Sequence, residues 1–192
     1  MPNKKMEDEE YDEIRPYREG RAAVRKGSLW RYVDENGYLV SKNRGWSEKP
    51  GLPYSYVEPF CDGWAEVHDA GTQDDYDYLI DRNCEPMMVE GEYISSGDSM
   101  KNGISIVGFG YFEDHRVCFV DKECHVLTDR FEEISYIGHN GMPYSDFGDY
   151  AMVRNGYKYG LLNVKSFKLE LHCEYEWMDF WQAIERLEIV FG

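Results

Sequence analysis

The sequence predicts an all-β fold: tandem antiparallel β-hairpin repeats of about 40 residues, arranged as an open twisted array or solenoid. Three observations predict it. A strand pattern, aromatic-x-x-Gly-x-Ala-x-Val, runs through Tyr17-Gly20-Ala22-Val24 and Phe60-Gly63-Ala65-Val67. It fades through Met100-Gly103-Ser105-Val107 and Asp149-Ala151-Val153, with the valines 43, 40 and 46 residues apart. A second landmark, two apolar or aromatic residues ahead of an acid or amide, keeps step with it. It appears at Tyr32-Val33-Asp34, Leu79-Ile80-Asp81, Phe119-Val120-Asp121 and Leu161-Leu162-Asn163, with spacings of 47, 40 and 42 residues. The third observation is a period of two: Ala22 and Val24 point one way and Arg21, Ala23 and Arg25 the other, as in a half-buried strand.

In chain order, residues 1–10 read as a charged flexible leader, with Glu7 to Glu10 as a solvated cluster. A single repeat domain over 11–192 follows, in units of about 11–53, 54–92, 93–130 and 131–174 and a partial fifth over 175–192. In the first unit Asn36-Gly37 predicts a two-residue hairpin turn, whose central residues both take positive φ. The landmark acids end strands and can fold back onto the turn through their own side chains. Residues 41–53 and 138–146 read as loops punctuated by Gly and Pro. In the tail, Met178, Trp181 and Ile184 offer one short stretch of helical spacing, whereas Leu187 to Phe191 reads as a closing strand. Atypical terminal units are expected, because they must cap an apolar end. A period near 40 also suits the blades of a closed small β-propeller. Closure would require a strand from the leader, and MPNKKMEDEE is a poor one.

Composition narrows the function. The chain is 42% hydrophobic and 16% aromatic, enough to build a core. Its 37 Asp and Glu against 21 Lys and Arg give a net charge of −16, which disfavours direct binding to nucleic acid or an anionic membrane. The same charge suits a basic partner, or simple solubility. The N-terminus has no apolar segment like that of a secretory signal, and no apolar run approaches the roughly 18 residues of a membrane span. The five cysteines are odd in number and none are in C-x-x-C spacing, as expected of reduced thiols in the cytoplasm.

Catalytic and cofactor signatures are missing: there is no G-x-S-x-G, P-loop, dinucleotide fingerprint or H-E-x-x-H. We therefore expect no catalytic, cofactor-binding or metal residues. Cys124-His125 and His172-Cys173 are adjacent pairs, and adjacent strand residues point to opposite faces rather than at one ion. Asp74, Asp75 and Asp77 lack the register of a calcium loop, and read as a solvated hairpin loop or a contact for a basic partner. Many of the tyrosines, among them Tyr11, Tyr17, Tyr32, Tyr54 and Tyr78, fall on repeat landmarks and read as core. Trp46, Tyr111 and Tyr144 fall outside the landmarks and, with the three aspartates, are the candidate protein contacts.

Together the landmarks resemble the WG (KWG) repeat family, whose pattern runs aromatic-Asp-x-Ile, Phe-x-x-Gly-x-Ala-x-Val and Lys-Trp-Gly-x-Ile-Asp. Tyr11, Asp12, Ile14, Tyr17, Gly20, Ala22, Val24, Trp30 and Asp34 carry the resemblance in the first unit. Phe60, Gly63, Ala65, Val67, Ile80 and Asp81 carry it in the second, and Lys158-Tyr159-Gly160-Leu161-Leu162-Asn163 in the fourth. The glycine of the name survives only as Gly160, with Arg31, Tyr78 and Cys118 in the equivalent slots, so the chain resembles a divergent member. The resemblance implies a bacterial array of β-hairpins with an interaction role, and carries over no catalytic residue.

The expected function is a non-enzymatic module that binds a protein partner, with a basic-surfaced partner as one option, through loops and repeat surface. An acidic inhibitor that imitates nucleic acid and a glycan-handling β-protein are the alternatives. Oligomeric state is left open by the sequence.

Overall fold

A computed structural model of the 192-residue chain describes residues 10–40, 54–70, 77–98, 103–110, 114–137, 143–144 and 149–187. Residues 1–9 of the expected leader, Trp46, Asp74, Asp75, Tyr111, the expected loop over 41–53, most of that over 138–146 and the stretch from Glu188 to Phe191 lie outside the described residues. Among the described residues the fold is all-β with one helix, and the chain's contacts divide it into two compact units, Met1–Ser99 and Met100–Gly192.

In the first unit, β1 (Glu13–Ile14), β2 (Arg21–Lys26), β3 (Leu29–Asp34), β5 (Tyr54–Val57), β6 (Trp64–Asp69) and β7 (Asp77–Asp81) follow one another across a sheet. In it β4 (Leu39–Val40) pairs with β3. The hairpin of β8 (Met88–Val89) and β9 (Glu92–Gly97) completes the unit. The second unit holds the hairpin of β10 (Ile104–Phe109) and β11 (Arg116–Asp121). A five-stranded sheet follows, formed by β12 (Glu133–Ile137), β13 (Pro143–Tyr144), β14 (Tyr150–Asn155), β15 (Lys158–Asn163) and β16 (Lys168–Tyr175), in the order β13-β12-β14-β15-β16. Helix α1 (Trp177–Arg186) occupies much of the stretch read as a partial fifth unit.

The landmark glycines act in turns that enter the strands. Glu19 and Gly20 have φ of 49° and 79°, Asp62 and Gly63 have 56° and 97°, and each pair is closed by reciprocal backbone hydrogen bonds. These are two-residue turns with both central residues left-handed, a geometry that glycine at the second position makes inexpensive. The Asn36-Gly37 turn differs from expectation. Asp34 N–H donates to Tyr38 O and Gly37 N–H to Asp34 O, both at 2.9 Å, so three residues lie between the closing pair and Gly37 alone is left-handed. The acid ahead of Asn36 supplies the reason. Asp34 Oδ1 accepts the N–H groups of Asn36 and Tyr38 at 2.9 and 2.8 Å, which holds the longer turn.

Both faces of the first hairpin are covered, so β2 is not the half-buried strand its alternation predicts. Ala22 and Val24 pack with Val33 and Leu39 on one face. Ala23, Trp30 and Tyr32 on the other face join Ala65, Val67, Tyr78 and Ile80 of the second hairpin in one cluster. The second compact unit repeats the arrangement: Ile106 and Phe119 of the third hairpin meet Ala151, Val153 and Leu162 of the fourth. Within each compact unit, the earlier hairpin's back face is thus buried by the landmark face of the later one, as stacked repeats require.

For the fourth hairpin the cover is α1. Met152 and Leu161 pack with Leu171 and with Phe180, Ala183 and Ile184 of the helix. The buried helical stripe is therefore Phe180, Ala183 and Ile184, at i, i+3 and i+4, and Met178 of the expected Met178, Trp181, Ile184 stripe is 69% exposed. Gly160 matters here through space: a Cβ on it would lie 2.7 Å from Leu171 O and 3.0 Å from Cys173 N. The glycine allows β16 to close on β15, where the register shifts on both sides of Leu161.

Candidate contact surface

The turn ends of the repeats are organised by their acids. Asp81 Oδ1 accepts the N–H groups of Asn83 and Glu85, and Asp121 Oδ1 those of Glu123 and His125, all at 2.8–2.9 Å. These turns copy the one at Asp34, with Cys84 (φ 59°) and Cys124 (φ 63°) in the left-handed place of Gly37. Cys84 is buried and burial pushes its thiol up to about 12, which fits a structural thiol rather than a nucleophile.

Glu19 ties the first two repeats together. Its carboxylate accepts the N–H groups of Asp62 and Gly63, each at 2.8 Å, and Nη2 of Arg82 at 2.8 Å. Burial opposes its ionisation, but Arg82 and the two backbone donors outweigh that, and its carboxyl is held below the usual range. Arg21 Nε in turn donates to Arg82 O at 2.7 Å.

Among the described residues, one group of His, Cys, Asp or Glu side chains is close enough to share an ion: Asp121, Glu123 and His125, with ligand atoms within 4.8 Å of one another. Asp121 spends Oδ1 on its own turn, and Oδ2 lies 2.9 Å from His125 Nδ1. The trio follows from i, i+2, i+4 positions around one turn. Attention to the adjacent Cys124-His125 pair passes over it.

Of the sequence-predicted contacts, Asp77 begins β7, where its Oδ1 lies 3.0 Å from His68 Nδ1. Tyr144 is in the short strand β13, paired with Tyr136. Other large apolar side chains are exposed among the described residues. Tyr157, at the tip of the β14–β15 turn, is 91% exposed, and Trp177 and Met178, which open α1, are 43% and 69% exposed. Trp177 stacks edge-on against Tyr159 at 5.1 Å and Trp181 at 5.5 Å, so its ring is held in place. Lys158, next to Tyr157, reaches Glu176 at the helix N-cap at 3.4 Å. Carboxylates surround the patch in sequence: Glu174, Glu176, Asp179 and Glu185. The signal available in the sequence was the aromatic and Met density of the WMDFW segment, which core packing explained only in part.

Hairpins stacked within each compact unit, with left-handed glycine turns and capping acids, define a β-repeat scaffold. The model of the WG containing repeat family matches residues 10–30, which supports a WG-repeat protein. The matched segment holds β1, β2, the Glu19-Gly20 turn and Trp30. No curated protein matches the chain. No helix among the described residues is long and apolar enough to cross a membrane.

Proposed function

We propose that this chain is a non-enzymatic protein-interaction module, in which the stacked hairpins are a scaffold and the aromatic face at α1 meets a protein partner bearing basic residues. The observation that supports this reading is the exposure of Trp177, Met178 and Tyr157, with the Trp177 ring set against Tyr159 and Trp181. Trp and Tyr held rigidly at a surface supply contact area at low entropic cost, and Met adapts to the partner's shape. The neighbouring carboxylates favour Lys or Arg on the partner, whose cations can also lie over the Trp rings. The same chemistry operates inside the protein, where the Arg15 guanidinium sits 4.0 Å from the centre of the Trp30 ring.

The nucleic-acid-imitating alternative has less support. Asp12, Glu19, Asp34, Asp81, Asp121 and Glu132 spend carboxylate oxygens on backbone N–H groups of their own turns or of neighbouring ones, rather than presenting them in rows.

Affinity capture with the full chain, followed by direct titration of each captured protein, tests the proposal. Binding should be lost in a Trp177→Ser, Met178→Asp double variant and kept when Asp74, Asp75 and Asp77 are changed to Asn. Equal binding by both variants would sink the α1 surface.

A further inference from the structure

The first hairpin carries a hollow of about 220 Å³ lined by Tyr11, Val24, Lys26, Leu29 and Arg31. Strand pairing explains why these residues meet. Val24 is opposite Arg31 and Lys26 opposite Leu29 across β2 and β3, so their side chains rise from one face of the hairpin. Val24 is buried and packs in the cluster that Tyr11 flanks. Arg31 is half-buried and Lys26 exposed. Each strand thus contributes one apolar and one cationic residue, with Val24 beside Arg31 and Leu29 beside Lys26, so apolar contact and positive charge alternate around the hollow.

Those two cations set the hollow apart. Among the described residues, the side chains of Arg31 and Lys26 make no hydrogen bond or ion pair, whereas neighbouring Arg15, Arg21 and Arg25 are all engaged. In a chain with 37 acids to 21 Lys and Arg, a half-buried arginine lacking a carboxylate partner runs against the supply of partners. Removing such a charge from water without a counter-charge is costly, and an anion from outside would recover that cost.

Size and charge select the anion. Pockets for whole cofactors and drug-sized ligands run to about 300–1,000 Å³, so this hollow suits one residue-sized group. A net charge of −16 repels a dianionic phosphate more than a singly charged carboxylate. The planar fork of Arg31 matches a carboxylate, and Val24 and Leu29 offer apolar contact to a short hydrocarbon stem.

We propose that this hollow is a carboxylate subsite that takes one residue of a protein partner, with Arg31 gripping the carboxylate, Lys26 adding charge, and Val24 and Leu29 receiving the hydrocarbon. The chemistry is shared by a C-terminal residue with an apolar side chain and by an internal glutamate. The origin of the carboxylate in a protein rests on the interaction reading above; the subsite itself does not.

The test uses the full-length, ¹⁵N-labelled chain and four probes: N-acetyl-leucine, N-acetyl-leucine amide, N-acetyl-glutamic acid α-amide and inorganic phosphate. The amide signals of Val24, Gly27 and Leu29 report binding. One or both carboxylate probes should shift them saturably in the millimolar range, with N-acetyl-leucine amide and phosphate each at least roughly tenfold weaker. Tighter binding by N-acetyl-leucine assigns a C-terminal residue, and tighter binding by the glutamate probe assigns an acidic side chain. Arg31→Gln should weaken binding by roughly tenfold and exposed Lys26→Gln by less. The comparison of acid with amide needs no variant, so a misfolded Arg31→Gln protein leaves the test intact. Absence of saturable shifts, equal affinity for acid and amide, or tighter phosphate binding overturns the subsite. Probe binding without any captured partner would instead overturn the interaction reading, and a captured partner without probe binding would overturn the subsite alone.

Discussion

Arg154 stands to Glu133 as Arg25 stands to Glu13. Arg154 Nε donates to Glu133 Oε2 at 2.9 Å and its Nη1 to Gly156 O at 2.7 Å. Arg25 Nε donates to Glu13 Oε2 at 3.1 Å and its Nη1 to Gly27 O at 2.8 Å. The turn glycines complete each clasp, with Gly156 N–H on Glu132 at 2.9 Å and Gly27 N–H on Asp12 at 2.6 Å. An arginine in the central strand thus ties the leading strand to the hairpin turn in the first repeat and again in the fourth.

Replacing Arg154 with Met should therefore lower stability by about 1 kcal/mol, and Arg25→Met by a similar amount, because both ion pairs are partly exposed. Urea denaturation at low and high salt checks this: the loss should shrink as salt screens the pair in the parent protein.

Gly160→Ala places a methyl against backbone atoms of β16, which cannot step aside as a side-chain tip could. A loss of about 1–3 kcal/mol is expected, seen as a lower midpoint in thermal unfolding. An unchanged midpoint would contradict the close approach of β16 to Gly160.

The helix gives a contrast between two neighbours. Phe180→Ala removes a fully buried ring from the cover of the fourth hairpin and should cost about 3–5 kcal/mol. Met178→Ala, two positions earlier and 69% exposed, should stay within about 0.5 kcal/mol. Chemical denaturation of both variants tests which face of α1 is buried.

Acid sensitivity should trace in part to Glu19. Its carboxyl is depressed in the folded state below the ordinary value of 4.5, so the unfolded chain takes up the proton first as pH falls. The stabilisation it provides is fully present at neutral pH and is lost as pH drops through the folded value. Glu19→Gln should be less stable than the parent at about pH 7, with the gap narrowing at about pH 3. A gap independent of pH, measured by urea unfolding, would show that the carboxylate is not the source.

The local half of this architecture was open to reading from the residues. The acids at Asp34, Asp81 and Asp121 mark strand ends and fold back on their turns as their side-chain chemistry suggests, because every partner lies within four residues. The glycines were recognisable, but their turns were less so. Asp62-Gly63 is a favoured hairpin pair, and its place ahead of a strand concealed that role. The contacts of Glu19 with Asp62 and Gly63 span 43 and 44 residues, and no local pattern announces them. The buried face of α1 was hidden for a related reason. Periodicity suggested a stripe through Met178, and only the packing of Phe180 against the fourth hairpin turns Met178 outward.

By itself the sequence determined the repeat length, the all-β class and the turn acids, because each depends on alternation and hydrogen bonding within a few residues. Tertiary structure decided which face of each hairpin is covered and by what: the next hairpin for the first and third, and α1 for the fourth. It also decided that Arg15, Arg21 and Arg25 find partners while Arg31 faces a hollow. Charge and alternation are properties of single strands, but burial and pairing depend on what another part of the chain brings alongside them.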